Sequence, residues 1–450
     1  MIDRDLLRRL HRRERESFAA EHPQSAELFR RAAEHMPHGV PMSWMAKWPG
    51  DFPVFVTDAG GAHFTDADGH EYIDFCLGDT GAMAGHSPAA TVQAVTRSLP
   101  HGITTMLPSA AAIDVSTELA GRFGLPHWQF TLTATDANRH AIRYARALTG
   151  RGKIVVHDFC YHGSVDEAFA TRGPDGRTVN RRSTIGPPVD TAQTTIVVPF
   201  NDIEALAAAL ATGEVACVLI EPALTNIGIV LPDAGYHDAV RELCTRHGAL
   251  LIIDETHTIC AGPGGYTAAH GLSPDLLVIG KAIGGGIPCG TFGLSAEVAA
   301  RVEKVVALED IDVGGIGGTL AGNALSMTAM AATLGSVLTP AAFERMIPLG
   351  GRWADGVQAA IDTYSVPWHV ARLGCRGEYG FSAQQPRDGA AAAAADDFEL
   401  QQFLHLYALN RRILLTPFHN MALMCPATTE ADVAAHTAMF DDCLAELTGA

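Results

Sequence analysis

Between about residue 110 and residue 320, short uninterrupted apolar runs alternate with stretches that have the periodicity of a helix. Five of these runs are KIVVHDF, TTIVVPF, VACVLIEP, ALLIIDE and DLLVIGK. A continuous apolar run is typical of a strand that is buried on both faces, and such strands alternate with helices in mainly parallel sheets. We therefore predict an α/β domain here, with helices covering both faces of its sheet.

The two ends of the chain show different patterns. The first 20 residues are charged with spaced apolar positions, which predicts a surface or docking helix. The segment HFTDADGHEYIDF alternates around a turn and predicts a β-hairpin. The low-complexity segment 388–397, DGAAAAAADD, predicts a linker that enters a helix. We predict three parts: residues 1–75 as an N-terminal segment of a small lobe, 76–327 as the large domain, and 328–450 as a C-terminal small domain.

Composition narrows the class of protein. The 450 residues are 47% hydrophobic and 18% charged, and the net charge of -18 disfavours nucleic acid and anionic membranes as partners. Because no apolar run approaches the roughly 20 residues of a membrane helix and no signal-peptide pattern is present, we expect a cytoplasmic protein. The nine cysteines lack a C-x-x-C pair and the twenty histidines lack ligand spacing, so we expect reduced core cysteines and no metal site.

Two charged residues directly follow buried strands of the predicted sheet. Asp254 ends the run ALLII, and Lys281 follows DLLVIG. Ligands of open parallel sheets bind beyond the carboxyl ends of the strands. A buried carboxylate needs a cation or several donors, and burial lowers the pKa of a lysine until its amine can act as a nucleophile or base. Each residue alone is also explained by a capping carboxylate or a lysine that reaches the surface, but the pair on consecutive strands indicates a site.

A third feature is an expected helix start at TLTATDANRH. Thr133 and Thr135 stand before a helix that Gly150 can end. Hydroxyls beside the free N–H groups of a helix N-terminus form an anion site. An ordinary N-cap with Asp136 in the first turn explains the same spacing, and both interpretations stay open from the spacing alone.

Together these residues resemble a known family. The segment LLIIDETHTICAGPGGYTAAHGLSPDLLVIGKAIGGGIPCGTFG, with weaker matches at GHSP, YHG, IEP and GGTLAGNAL, resembles the class III aminotransferases, which use pyridoxal 5'-phosphate. The closer resemblance is to the glutamate-1-semialdehyde aminomutase-like branch. It implies the fold type I of PLP-dependent transferases: a large cofactor-binding domain with a mainly parallel seven-stranded sheet covered by helices, plus a smaller α+β lobe from the N- and C-terminal segments. It also implies a homodimer.

The resemblance implies roles around the cofactor ring. Lys281 forms the Schiff base and moves protons, and Asp254 keeps the pyridine nitrogen protonated. Tyr161 stacks on one face of the ring, and Thr256 packs on the other face, where the family usually has valine. Asn226 hydrogen-bonds the phenolic oxygen, and asparagine at this position fits the aminomutase-like branch. Lys281, Asp254 and Tyr161 are the expected catalytic residues.

The resemblance also implies how the phosphate is held. Thr133, Ala134 and Thr135 bind it through hydroxyl and backbone donors, in a loop that in the family usually reads serine-glycine-threonine. Thr319, in GGTLAGN, reaches the phosphate of the neighbouring subunit, so the phosphate site is expected to be shared across the dimer interface.

The substrate prediction depends on the absence of arginine from two segments, 39–50 and 416–424, where relatives that act on β-amino acids carry one. These segments contribute large apolar side chains that either line the donor pocket or pack an interface between lobes: Met42, Trp44, Met45, Trp48 and Phe418. Arg376 either binds a keto-acid carboxylate or forms a structural ion pair with Glu378.

We therefore expect an omega-type amine transaminase that moves an amino group from an aromatic or bulky primary amine to a keto acid such as pyruvate. The alternatives are a β-amino-acid transaminase, an intramolecular aminomutase of the glutamate-1-semialdehyde type, and a PLP-binding protein without catalysis. Dependence on a second, keto-acid substrate separates the transaminases from the aminomutase.

Overall fold

The computed structural model describes residues 2–182, 184–305 and 315–450. Its helices are α1 (Arg4–Glu21), α2 (Pro23–Ala32), α3 (Ala89–Ser98), α4 (Ala111–Phe123), α5 (Ala134–Thr149), α6 (Ile203–Ala211), α7 (Tyr236–His247), α8 (Gly265–Ala269), α9 (Ala296–Val305), α10 (Ala324–Ser336), α11 (Pro340–Thr363), α12 (Gly389–Ala394), α13 (Phe398–Asn410) and α14 (Glu430–Thr448). Its strands are β1 (Val56–Gly60), β2 (His63–Asp66), β3 (Glu71–Asp74), β4 (His127–Thr131), β5 (Lys153–His157), β6 (Ala170–Arg172), β7 (Thr178–Asn180), β8 (Thr195–Val198), β9 (Val215–Ile220), β10 (Leu250–Asp254), β11 (Leu276–Gly280), β12 (Gly290–Leu294), β13 (His369–Leu373), β14 (Arg376–Gly380), β15 (Ile413–Leu414) and β16 (Met421–Leu423).

The described residues form two compact units. One contains residues 1–88, 341–385 and 395–450, and the other contains 89–340 and 386–394. The predicted division of the chain after residues 75 and 327 stays a prediction. The alanine-rich segment contributes helix α12 to the second unit.

The second unit is built on a seven-stranded sheet in the order β4-β12-β11-β10-β9-β5-β8. The strand pairs from β11 to β8 are parallel, and β12 runs antiparallel to both β11 and β4. All five apolar runs of the sequence form strands of this sheet, and β9, β10 and β11 are buried along their whole length. The predicted fold class is confirmed.

Helix α5 packs on this sheet as its sequence pattern predicts. Thr133 is its N-cap, and Gly150 ends it in the left-handed conformation at φ +68°. Its apolar face is fully buried in the main core, with Ala137 and Ala141 beside strands β5 and β9–β11. The helix therefore directs its N-terminus to the edge where the parallel strands end.

The first unit contains the predicted hairpin and two small sheets. Strands β2 and β3 pair antiparallel, and the four-stranded sheet has the order β1-β2-β3-β15. A three-stranded sheet has the order β13-β14-β16. Helix α1 forms at the predicted place and buries Leu7 and Phe18.

A group of possible metal ligands in the first unit also takes part in a hydrogen-bond network. His22, Asp66 and His70 bring their ligand atoms within 4.8 Å of one another. The two ring nitrogens of His22 lie 2.7 Å from the Phe18 carbonyl and 2.7 Å from the Tyr72 hydroxyl. Asp66 accepts the backbone N–H of His70 at 2.8 Å, so its carboxylate organises the hairpin turn.

Among the described residues, no single helix is both long and apolar enough to cross a membrane. One bent pair of consecutive helices, α10 with α11, passes on length and composition alone. The cytoplasmic location expected from the sequence stays a prediction.

Candidate active site

Lys281 and Asp254 lie at the ends of two adjacent parallel strands. Strands β10 and β11 pair with Asp254 opposite Val278, and Lys281 directly follows Gly280, the last residue of β11. Lys281 has a φ of +52°, which is uncommon for a residue with a side chain. Backbone conformations of this kind are found most often at functional sites, where the surrounding structure holds them in place.

The Asp254 carboxylate is buried and receives three hydrogen bonds. Asn138 Nδ2 and His162 Nδ1 donate to Oδ2 over 2.8 and 2.9 Å, and the backbone N–H of Thr256 donates to Oδ1 over 3.0 Å. Burial acts to raise the pKa of Asp254, but the hydrogen bond and charge of His162 outweigh it and hold this pKa below its ordinary value. Asp254 is therefore ionised at neutral pH.

His162 is the cationic partner of this carboxylate. Burial acts to lower the pKa of His162, but interactions with Cys160 and with Asp254 raise it to about 10. Sequence reasoning missed both His162 and Asn138 as site residues. His162 is the middle residue of YHG, a segment noted only as a weak family match, and Asn138 carries no local signal because its partner lies 116 positions away.

The N-terminus of α5 has the features expected of an anion site. The Thr133 hydroxyl accepts the backbone N–H of Asp136 over 3.2 Å and donates to its carboxylate over 2.9 Å. The Thr135 hydroxyl accepts the backbone N–H of Ser164 over 3.1 Å. The ordinary N-cap is thus present, and phosphate binding by the remaining donors stays a prediction.

Two glycines allow this helix start to lie directly against the strand ends beside Lys281. A Cβ at Gly290 would lie 2.4 Å from the carbonyl of Thr133, and a Cβ at Gly280 would lie 3.1 Å from the backbone nitrogen of Ala134. Any side chain at Gly290 would therefore push the first turn of α5 away from the sheet. The structure brings the predicted phosphate loop and the predicted catalytic lysine together.

Tyr161 and Asn226 each form one described hydrogen bond near the end of strand β9 or the loop after strand β5. The backbone N–H of Tyr161 donates to Glu221 over 3.1 Å, Thr225 donates to the other oxygen of Glu221, and Asn226 Nδ2 donates to the Phe159 carbonyl over 3.2 Å. Burial raises the pKa of Glu221. Tyr161 as a residue is 38% exposed, and its stacking role stays a prediction.

Thr256 and Thr319, the two remaining residues that are predicted to bind the cofactor, have different surroundings. The Thr256 hydroxyl is buried and has no hydrogen-bond partner within the described part of the chain. Thr319 is exposed, close to Gly317, whose carbonyl lies 3.2 Å from a ring nitrogen of His140. The predicted contact of Thr319 with a neighbouring subunit stays a prediction.

The apolar residues predicted for the substrate pocket lie in the first unit. Met42 and Trp44 are exposed, and the Trp44 ring meets Phe418 edge to face at 6.2 Å. Met45 and Trp48 are partly buried. Their role in substrate binding stays a prediction.

Arg376 is fully buried in the first unit and forms the ion pair that the sequence analysis left open. Its Nη2 donates to Glu378 over 3.0 Å, and the other carboxylate oxygen of Glu378 lies 3.4 Å from His419 Nδ1. Burial acts to raise the pKa of Glu378, but Arg376 holds it below its ordinary value. Binding of a substrate carboxylate by Arg376 stays a prediction.

These residues of the second unit fit a phosphorylated pyridine aldehyde. Asp254 is a buried, ionised carboxylate able to face a ring nitrogen, and Lys281 supplies an amine on the adjacent strand. The N-terminus of a 16-residue helix supplies donors for a phosphate, and the unpartnered Thr256 hydroxyl needs a polar neighbour.

The His162–Asp254 pair predicts that stability depends on pH in the protein without cofactor. Because the pKa of His162 is raised from 6.5 to about 10 on folding, its contribution is complete below about pH 6.5 and is lost as pH rises through about 10. We expect His162→Asn to lower the free energy of unfolding by about 3 kcal/mol at pH 6.5, with a smaller difference at pH 10. Urea unfolding across this range measures it, with exposed His270→Asn as control. A difference that grows with pH would contradict the ion pair.

The fold and the site define a pyridoxal-phosphate-dependent enzyme of fold type I. The Aminotransferase class-III family profile matches residues 44–439, which is most of the chain. The chain therefore belongs to the class III aminotransferase family, and its cofactor is pyridoxal 5'-phosphate.

The individual relatives have more specific activities than the family description gives. Glutamate-1-semialdehyde 2,1-aminomutase of Opitutus terrae is 36% identical over 409 residues, which cover 90% of this chain and 95% of the relative. The structure of a glutamate-1-semialdehyde aminomutase from Pseudomonas aeruginosa PAO1, a lysine-to-alanine variant in complex with PMP, is 48% identical with a TM-score of 0.97 and covers 99% of both chains. An omega-transaminase of Sphaerobacter thermophilus is 30% identical with a TM-score of 0.85, covering 94% of this chain and 97% of that one.

These relatives correct the substrate prediction made from the sequence. The expected transfer from a primary amine to a keto acid is wrong, because the aminomutases match the chain better than the omega-transaminase does. The error came from taking apolar residues at 39–50 and 416–424 as evidence for an apolar donor. Large apolar side chains also pack against one another, as Trp44 and Phe418 do, and so do not report the substrate.

Proposed function

We propose that this protein is a glutamate-1-semialdehyde 2,1-aminomutase, an isomerase that moves the amino group of glutamate 1-semialdehyde from carbon 2 to carbon 1. The product is 5-amino-4-oxopentanoate, which has the same atoms as the substrate. The observation that carries this proposal is the 48% identity, over 99% of both chains, to the Pseudomonas aeruginosa aminomutase. The intramolecular transfer requires no separate amino acceptor.

The chemistry assigns distinct work to the two charged residues at the strand ends. When bound, pyridoxal phosphate supplies an electron sink for negative charge at the reacting carbon. Asp254, ionised and held by His162, favours the protonated ring nitrogen that makes the sink effective. Lys281 Nζ moves protons at the carbon that loses the amino group and at the neighbouring carbon that gains it. One base therefore serves two adjacent positions.

Other residues orient the cofactor in this proposal. Thr133, Ala134 and Thr135 hold the phosphate with the donors at the start of α5, and the helix dipole favours its negative charge. Tyr161 and Thr256 would pack against the two faces of the ring. Two observations support these placements. The start of α5 packs against the strand ends, and the Thr256 hydroxyl is buried. Asn226 hydrogen-bonds the phenolic oxygen.

The proposed function is tested with the purified holoenzyme and glutamate 1-semialdehyde alone. We expect formation of 5-amino-4-oxopentanoate without any added amine or keto acid, measured by chromatography of the reaction mixture. Parallel reactions contain 1-phenylethylamine with pyruvate. Turnover that requires an added keto acid, or no conversion of glutamate 1-semialdehyde by fully loaded enzyme, would reject the aminomutase.

We also propose a homodimer in which Thr319 contacts the phosphate bound by the neighbouring subunit. An apolar surface supports it: Met106, Leu107 and Ile113 are 77%, 75% and 69% exposed. Met106, Leu107 and Thr319 line one cavity of about 470 Å³ in the second unit. Exposed apolar patches of this kind mark sites of protein association.

The dimer leads to a prediction about mass in solution. Met106→Glu combined with Leu107→Glu is expected to convert the dimer into monomers, because two charges would have to be buried in the interface. Sedimentation velocity measures the change. Ile185→Glu, at a residue that is 98% exposed, is the matched control and should remain dimeric. Wild-type protein that sediments as a monomer would contradict the proposal.

A further inference from the structure

A histidine that the proposed chemistry does not use lies in direct contact with the catalytic lysine. Lys281 Nζ lies 2.8 Å from His257 Nε2, which is within hydrogen-bond distance. His257 stands three residues after Asp254, in the turn between strand β10 and the short helical turn Thr258–Ala261. Both side chains are partly buried, so water screens this contact less than it would a surface pair.

The direction of this hydrogen bond follows from the chemistry of the two groups. An ammonium group has donors and no acceptor, so the ring nitrogen of His257 that faces it must be unprotonated. A hydrogen bond accepted from a charged donor stabilises the charged form. The contact with His257 therefore restricts where the Lys281 amine lies.

We propose that His257 is a positioning residue that receives the Lys281 amino group whenever this amine is not bonded to the cofactor. This inference rests on the proposed role of Lys281 as the base in the site. During the reaction the amine must be released and must then work at two adjacent carbons. A fixed acceptor beside β11 keeps the released amine near both carbons and limits its movement into solvent.

Other titratable groups surround this pair, and the described hydrogen bonds of the nearest ones lead elsewhere. The oxygens of Asp254 receive hydrogen bonds from Asn138, His162 and the Thr256 backbone. Glu221 receives hydrogen bonds from Thr225 and the Tyr161 backbone, and burial raises the pKa of the Cys289 thiol to about 12. The described hydrogen bonds of Asp254 and Glu221 are therefore made with residues other than Lys281 and His257.

Two amide variants separate hydrogen-bond acceptance from mere space filling. The amide oxygen of glutamine can occupy the position of the histidine Nε2, whereas the shorter side chain of asparagine ends near the position of Nδ1. His257→Gln is therefore expected to preserve the contact with Lys281, and His257→Asn is expected to remove it. Both variants are polar and uncharged, so a difference between them reflects the length of the side chain and not its polarity.

The test measures the amine itself in the full-length protein loaded with pyridoxamine 5'-phosphate, where Lys281 is not bonded to the cofactor. Competitive reductive methylation is followed by peptide mass spectrometry across a pH series, and the pH midpoint of Lys281 labelling is determined. We expect His257→Asn to lower this midpoint by about 0.5 to 1 pH unit, which increases labelling at a fixed pH below the midpoint about 3- to 10-fold. His257→Gln should match the wild type.

The labelling experiment is accompanied by a control variant and by a measurement of folding. His270→Asn, at an exposed histidine that stacks on Tyr266, should leave Lys281 labelling unchanged. Thermal unfolding is measured first, and His257→Phe replaces the asparagine variant if that variant does not fold. Identical Lys281 profiles in wild type and His257→Asn, or a glutamine variant that behaves like asparagine, would overturn the proposal. The labelling experiment uses no substrate. Its result can therefore be interpreted even if the aminomutase assay shows no activity.

Discussion

Lys281→Ala is expected to reduce the turnover of glutamate 1-semialdehyde by about 10³-fold or more, because general acid–base catalysis alone contributes about 10² to 10⁴. The variant also loses the amine that bonds the cofactor. Lys281 directly follows strand β11 and has a backbone φ of +52°. Initial rates of 5-amino-4-oxopentanoate formation measure the effect, and the visible absorbance of the protein reports the lost bond to the cofactor.

The control for this variant is Lys304→Ala, which removes an exposed lysine in helix α9 of the same unit. It should retain wild-type rates. Lys281→Ala with more than a tenth of wild-type activity, in a sample free of wild-type enzyme, would show that another group moves the protons. Both proteins should bind pyridoxamine 5'-phosphate, which separates loss of chemistry from loss of the site.

Asp254→Asn is expected to reduce turnover by about 10²- to 10³-fold with a smaller effect on the fold. A neutral amide cannot balance positive charge on the ring nitrogen, so the cofactor becomes a weaker electron sink. The amide must also place its N–H₂ group against a donor, either against Asn138 and His162 or, in the flipped orientation, against the backbone N–H of Thr256. Steady-state kinetics and a cofactor titration measure the two effects separately.

Asp275→Asn is the matched control for this second variant. Asp275 is a carboxylate directly before the start of strand β11, where it accepts the backbone N–H of Leu251 over 2.7 Å and pairs with Arg241 over 2.9 Å. Its replacement should lower stability modestly and leave turnover close to wild type. Equal losses of activity in Asp254→Asn and Asp275→Asn would contradict a specific catalytic role for Asp254.

The error in the substrate prediction shows which kind of inference failed. Lys281 and Asp254 could be found because each ends an uninterrupted apolar run, and a charge in that position needs a chemical reason. No comparable chemical reason was needed for the apolar residues that were proposed to line the donor pocket. An apolar side chain such as that of Trp44 is satisfied by any apolar neighbour, so its sequence context does not reveal what it contacts.

The sequence by itself determined five of the seven strands of the main sheet, the start and end of α5 and the two charged residues at the strand ends. These features depend on local periodicity and on the cost of burying charge. Only the tertiary structure decided which groups support those residues. Asn138 and His162 reach Asp254 from 116 and 92 positions away, and His257 reaches Lys281 across two strands. A hydrogen bond needs its two atoms within about 3 Å. Spacing along the chain does not specify that proximity; the packing of α5 and the following loops against the sheet does.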